Sequence, residues 1–446
     1  MTKAGQTNMA RRETRDADRA ARRSGWRMCL AAGLLLMITL IPQATRVAAS
    51  AGGTWIPTAP MSTPHMYHRA RILRDGRVLV VGGQTDPLGN YIESVEIYDP
   101  AAGTWSLTGS LDRYYSDETA TVLSSGKVLV AGESGAVGAA DLYDPTSGTW
   151  LPTGFMSSSR TGDTATLLPD GKVLVAGGLT NSFGNWLDNS ESYDPATGRW
   201  TTTAGDIMMV RRYGHSATLL QNGKVLVAGG TSNGLNTTDS AEIYDGFWTT
   251  TGSMFTARTG QVAVLLPSGK VLVAGGKGGG LGNSPVLASA ELYDPISGAW
   301  SPASSMATPR TEARATLLLD GRVLVEGGND SATDLASAEI YDPGSNTWTP
   351  TGAMNTPRAD HTATLLPNGN VLATGGNGLT SAEIYQGPPP PGASNNTWPT
   401  VVFVALLALA AIVIYRRGPT TQPATPPPGP TPGSSGSADD TTEATN

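Results

Sequence analysis

Apolar positions in this chain come in short runs of valine and leucine separated by turn residues, and the whole pattern repeats at a pitch of about fifty residues. A run of the form Val-Leu-Val closes on a glycine pair at Gly82-Gly83, Gly177-Gly178, Gly229-Gly230, Gly275-Gly276, Gly327-Gly328 and Gly375-Gly376, and a degenerate copy stands at Gly132-Glu133. Within one copy, Ala165 to Ala176 is two apolar runs around Asp170-Gly171. Such a pattern predicts a hairpin, because an Asp-Gly pair supplies the positive φ that a tight turn needs. The same turn recurs at Asp75-Gly76, Asn222-Gly223, Ser268-Gly269 and Asn368-Gly369.

Some fifteen residues beyond each glycine pair comes Ser-Ala-Glu-Ile-Tyr-Asp-Pro or a relative of it, carrying Tyr98, Tyr143, Tyr193, Tyr244, Tyr293, Tyr341 and Tyr385. A tryptophan follows in six copies (Trp105, Trp150, Trp200, Trp248, Trp300 and Trp348), and Trp55 stands alone ahead of the first. These segments read as two further strands joined by turns built on proline's fixed φ and glycine's freedom. Each copy is then a four-stranded antiparallel sheet, and seven such sheets predict a propeller, whose blades bury their faces only by stacking around a central channel. The last copy ends at Tyr385-Gln386 without a tryptophan strand, so Trp55 to Thr58 is expected to complete that blade and close the ring.

With Arg-x-x-His at Arg212/His215 and Arg358/His361, the glycine pairs and spaced Tyr and Trp resemble the kelch repeat family over roughly Thr54 to Gln386. The resemblance implies an all-β, seven-bladed kelch propeller whose signature residues build the fold and whose channel mouth contacts ligands. Copper oxidases of the galactose oxidase type are among such propellers and use a tyrosine crosslinked to a cysteine. The one cysteine here, Cys29, lies ahead of the repeats, which excludes that mechanism.

Composition fits a secreted β module: 55 glycines, 31 prolines, one cysteine and 15% charged residues in 446. The first 27 residues form a basic region, and 28–51 an apolar segment with small residues at its end, which together read as a secretory signal, with an uncleaved anchor as the alternative. After the propeller (54–386) comes a proline-rich spacer (387–399). The run at 400–415 is a single membrane-spanning helix: Trp398 to Tyr415 would measure about 27 Å as a helix, and Arg416-Arg417 places the following tail, 416–446, in the cytoplasm. The basic region holds eight basic and three acidic side chains, net +5, whereas Val47 to Tyr415 holds nineteen basic and thirty-one acidic, net −12. That sign argues against nucleic acid as a partner.

Strand direction predicts where binding would occur. The long connections Gln84 to Ser94, Leu179 to Ser190, Thr231 to Ser240 and Lys277 to Ser289 all fall on one rim, the other receiving only tight turns, and loops on a rigid scaffold are where binding concentrates. Tyr91, Phe183 and Trp186 are aromatics on those loops, free either to stack on a ligand or to cap their own loop. Two positions entering the inner strands complete the candidate set. The first reads His68, Glu118, Asp163, His215, Gln261, Ala313 and His361; the one before it reads Tyr67, Asp117, Gly162, Gly214, Gly260, Glu312 and Asp360. The ligand-binding candidates are therefore His68, Asp117, Glu118, Asp163, Trp186, His215, Glu312, Asp360 and His361. No catalytic residue, metal site or cofactor is assigned. The resulting expectation is a membrane-anchored extracellular recognition protein for a glycan or protein; the alternative is a carbohydrate-active enzyme with Asp117, Glu118 and Asp163 as its acids and bases.

Overall fold

The computed structural model describes residues 52–387 except 87, 135–136, 181–184, 233–235 and 281–283. The segments expected to form a signal, a membrane helix and a cytoplasmic tail, most of the proline-rich spacer, and Phe183 lie outside the described residues. What is described is all β, with no helix.

Seven four-stranded antiparallel sheets form the blades. Blades 1 to 7 begin on the strands Arg69–Ile72, Ser116–Val122, Thr164–Leu167, Ser216–Leu219, Val262–Leu265, Arg314–Leu317 and Thr362–Leu365. Each of these touches the first strand of both neighbouring blades, so together they line the axis. The second strands carry the Val-Leu-Val runs and are buried along their whole length, as at Val78–Val81 and Val271–Val273. Such continuous burial is what a strand covered on both faces requires, and alternating polar positions would be costly there. Blade 7 takes its outer strand from Thr54–Thr58, with Trp55 opposite Tyr385, as the unpaired tryptophan predicts.

Tyrosine and tryptophan fix one blade to the next. In each blade the two rings meet at about 5 Å and are tilted, for example Tyr98 with Trp105 at 5.0 Å and 46°. The hydroxyl of Tyr98 bonds Thr58 at 2.8 Å, and the indole of Trp105 donates to Ala59 O at 2.8 Å, both in the preceding blade. The same contacts recur from blade 1 to blade 2 as Thr108 with Tyr143 and Trp150 with Gly109 O, both at 2.7 Å. Each aromatic thereby fills a layer between blades while its polar tip keeps a partner.

Candidate functional site at the axial mouth

The connection entering each blade and the long loop after its second strand meet at one rim. Isolated bridges join them at Met66 with Gln84, Thr161 with Leu179, Tyr213 with Thr231, Thr259 with Lys277 and Thr311 with Asn329. The entering connections are held by buried arginines. Arg258 donates to Gly275 O at 2.9 Å, to Ser289 O at 3.0 Å and to Glu291 Oε1 at 2.8 Å, and Arg160, Arg212, Arg310 and Arg358 make equivalent bonds. Burial lowers the pKa of Arg258, but a guanidinium remains charged and its planar fork matches a carboxylate together with two carbonyls. These arginines are the first residue of the Arg-x-x-His pattern, so that residue is a structural pin. Blades 1 and 2 differ: His65 bonds Gly82 O at 3.0 Å and lies 3.7 Å from Glu96, and Tyr115 and Arg113 share Asp141.

The residue three beyond each arginine turns into the wall between blades. His68 is fully buried, with Nε2 against Thr362 Oγ1 at 3.0 Å and Thr374 Oγ1 at 3.1 Å of blade 7. His215 meets Thr164 at 3.1 Å, and burial lowers its pKa to about 3. His361 is buried with both ring nitrogens unpartnered, and burial likewise lowers its pKa. Among the described residues Glu118 and Asp163 are buried carboxyls without hydrogen-bond partners, each raised by burial to about 7. This placement accounts for the first glycine of the pair. A Cβ on Gly82 would sit 2.2 Å from the Glu118 carboxylate, and one on Gly327 would sit 2.7 Å from the His361 ring. Only glycine leaves room there, and φ is positive as well.

The preceding residue of each copy faces the axis, and all seven adopt left-handed φ: Tyr67 58°, Asp117 47°, Gly162 63°, Gly214 63°, Gly260 64°, Glu312 55° and Asp360 52°. Their backbones bond around the ring, from Gly214 N to Gly162 O, Gly260 N to Gly214 O, Glu312 N to Gly260 O and Tyr67 N to Asp360 O. Left-handed φ costs a residue with a Cβ roughly 1–2 kcal/mol, and glycine nothing. Blades 3, 4 and 5 use glycine, whereas blades 6, 7, 1 and 2, which are contiguous, place Glu312, Asp360, Tyr67 and Asp117 there.

Those four side chains share one electrostatic field. Burial raises Asp360 to about 6, with Glu312 adding to the shift, and Tyr67 is raised to about 12 by burial and by Asp360, Glu312 and Asp117. Tyr213 is raised by burial and by Asp117, Asp360 and Glu312, so it faces the same opening. Its ring lies over Gly162, where a Cβ would come within 2.1 Å of it. Counter-charges stand alongside: Arg69 bonds Asp117 at 2.7 Å, and Lys277 lies 3.8 Å from Glu312. Carboxylates, guanidinium and two tyrosine hydroxyls around one opening can donate and accept hydrogen bonds in several directions, as a polar ligand requires.

Of the nine candidate residues, the structure brings Asp117, Glu312 and Asp360 to the mouth, and buries His68, Glu118, Asp163, His215 and His361 between blades. Trp186 is half-buried on a small hairpin, opposite Leu179 of its own loop. Tyr91 instead stacks on Tyr114, the centroids 4.9 Å apart, and both remain partly exposed on the rim. Among the described residues no three His, Cys, Asp or Glu side chains gather as metal ligands. Tyr213, Arg69, Arg71 and Arg314 were not among the candidates. The three arginines carry a signal in the sequence, because they occupy inner-strand columns that hold Thr, Ser or Val in the other blades.

A seven-bladed propeller with its long loops and its only contiguous run of non-glycine left-handed mouth residues on one rim defines the class. Two family models match the sequence: the KLHDC2/KLHL20/DRC7 Kelch-repeats domain over residues 162–376 and the Kelch motif over residues 74–111. The chain belongs to the kelch-repeat β-propeller family. No curated protein matches it. Among solved structures it is similar to a fungal alcohol oxidase of the AA5 family in complex with copper, at 22% identity and a TM-score of 0.63 over 77% of this chain and 78% of that one. It is also similar to YjhT, at 14% identity and a TM-score of 0.52 over 66% of this chain and 99% of that one. At these identities the likeness is one of fold, and the fold points to a binding or recognition module.

Proposed function

We propose that this protein is a membrane-anchored extracellular recognition module that binds a glycan or protein through the long-loop rim, with the axial mouth at its centre. The observation that carries the reading is the run of Glu312, Asp360, Tyr67 and Asp117 in left-handed backbone on four contiguous blades. Three blades accommodate the same turn with glycine, so the fold itself does not require a side chain there. Residues held in a costly conformation and directed at one opening support a ligand role. Of the three acids of the enzymatic alternative, Glu118 and Asp163 are buried between blades and Asp117, at the mouth, is paired with Arg69, which favours recognition over hydrolysis.

The test is binding of the full chain, held in detergent, to a broad glycan array beside Tyr67→Ala and Asp360→Ala. Selective binding that falls at least tenfold in both variants is expected. Absence of selective binding by folded wild type removes the glycan reading and leaves protein partners, to be sought by crosslinking from the intact cell surface. Turnover of a bound glycan by wild type would establish the enzymatic alternative instead.

A further inference from the structure

Two guanidinium groups on the channel wall form no salt bridge among the described residues. Blade 1 carries Arg69 and Arg71 on its innermost strand, and blade 6 carries Arg314. Ala70 and Ile72, which alternate with the blade 1 arginines, pack into the apolar layer against blade 7, so the arginines take the other side of the strand. Both reach the next inner strand: Arg69 bonds Asp117, and Arg71 donates from Nε to Ala120 O at 2.7 Å and from Nη1 to Ala70 O at 2.8 Å. Arg314 does the same on its own side, donating from Nε to His361 O and from Nη1 to Ala313 O at 3.4 Å. Arg69 therefore has a carboxylate. Among the described residues Arg71 and Arg314 form no salt bridge, and the Nη2 group of each makes no hydrogen bond.

The three arginines act on one another. Arg71 is lowered to about 10 by burial and then by Arg69 and Arg314, and Arg314 is lowered by burial and by Arg69. Blade 7 separates blade 6 from blade 1 in the ring, so this repulsion acts across the lumen. Three acids act on Arg314, in the order Asp360, Glu326 and Asp117, and Glu326 is its cross-strand partner. Burial holds that carboxyl well above the ordinary range, which weakens it as a counter-charge. Asp360 is engaged with Tyr67 at the mouth. Like charges crowded into a half-buried wall are unfavourable unless something of opposite sign joins them.

We propose that the lumen beside Arg71 and Arg314 binds one small oxyanion, of the carboxylate or phosphate class, through their free Nη2 groups. Guanidinium is the side chain best suited to that role, since its fork matches two oxygens of either anion. The site is independent of the recognition reading, because it needs no glycan and is read with inorganic ions.

The experiment is calorimetric titration of the full chain in detergent with phosphate and, separately, with acetate, at ionic strength held constant with chloride. Saturable binding of one ion per chain is expected, by phosphate if the site takes phosphate-class anions and by acetate if it takes carboxylates. Affinity falls at least tenfold in Arg71→Gln and Arg314→Gln and is unchanged in Arg77→Gln, an arginine on the opposite rim. Lack of saturable binding by wild type overturns the proposal, as does equal binding by folded Arg314→Gln. Wild-type stoichiometry decides the matter even if a glutamine variant fails to fold, and any value other than one per chain also overturns it.

Discussion

Blades 3, 4 and 5 repeat one solution: glycine at the mouth and a buried arginine pinning the entry to each blade. Blades 6, 7, 1 and 2 keep the same backbone path but fill the mouth with Glu312, Asp360, Tyr67 and Asp117. Blades 1 and 2 also replace the arginine pin with His65 and Tyr115. Because both arcs share strand order, buried second strands and aromatic layers, the contrast separates what the propeller needs from what has been added to it. The regular arc shows that the left-handed turn at the mouth is a property of the fold. The irregular arc shows that its side chains are not.

The largest expected break comes at a pin of the regular arc. Arg258→Ala strips Glu291 of its charge partner and leaves a buried carboxylate facing two backbone amides, Phe255 N and Thr256 N, alone. Removing one member of such a pair costs about 3–5 kcal/mol. His65→Ala, at the equivalent place in the irregular arc, removes one hydrogen bond and a 3.7 Å contact, for about 1–3 kcal/mol. Chemical denaturation of both variants measures the difference. Equal losses would mean that the two arcs are pinned alike.

The fold was legible because the features that make it are local and repeated: hairpin glycines, apolar second strands, and a stray Trp55 that required a partner. The mouth was half legible. Counting from the hairpin glycine found the correct pair of columns, but adjacent residues of a strand point to opposite sides. His68, Glu118, Asp163, His215 and His361 therefore turn between blades while their predecessors face the axis. No single-sequence signal says which of two neighbouring columns is the axial one, since that depends on how the blade is rotated in the ring. The partners of the arginine pins were not legible for a related reason. An arginine in a polar loop gives no sign that a glutamate some thirty residues later, such as Glu291 after Arg258, will bury it.

A smaller effect concerns acidity in the irregular arc. Glu118 has a folded pKa of about 7 against an ordinary 4.5, so the folded state binds its proton more tightly than the unfolded chain does. Stability is therefore undiminished below about pH 4.5, falls as pH rises between the two values, and stays reduced above 7. The penalty at high pH is roughly 3–4 kcal/mol, the shift converted at about 1.4 kcal/mol per pH unit. Glu118→Gln, which cannot ionise, should match wild type at pH 4.5 and exceed it at pH 8 by that amount. Denaturation midpoints across this range provide the check, and a variant whose advantage does not grow with pH would place the buried charge elsewhere.

The smallest effect is the most direct test of the comparison, because it exchanges the two solutions at the mouth. Gly260 has φ of +64° and a Cβ there would lie 2.9 Å from Thr311 Oγ1, a hydroxyl that can rotate away. Gly260→Ala should thus cost about 1–2 kcal/mol, nearly all of it backbone strain. Glu312→Gly runs the other way at φ of +55°. It relieves the same strain and gives up only a distant contact with Lys277, while the glycine makes the unfolded chain more flexible, which offsets part of the gain. The net change is expected within about 1 kcal/mol of zero. If Glu312→Gly leaves the melting temperature unmoved while glycan or partner binding drops, the side chain is there for the ligand. If it lowers stability by as much as Gly260→Ala does, Glu312 belongs to the scaffold, and the two arcs differ in sequence but not in purpose.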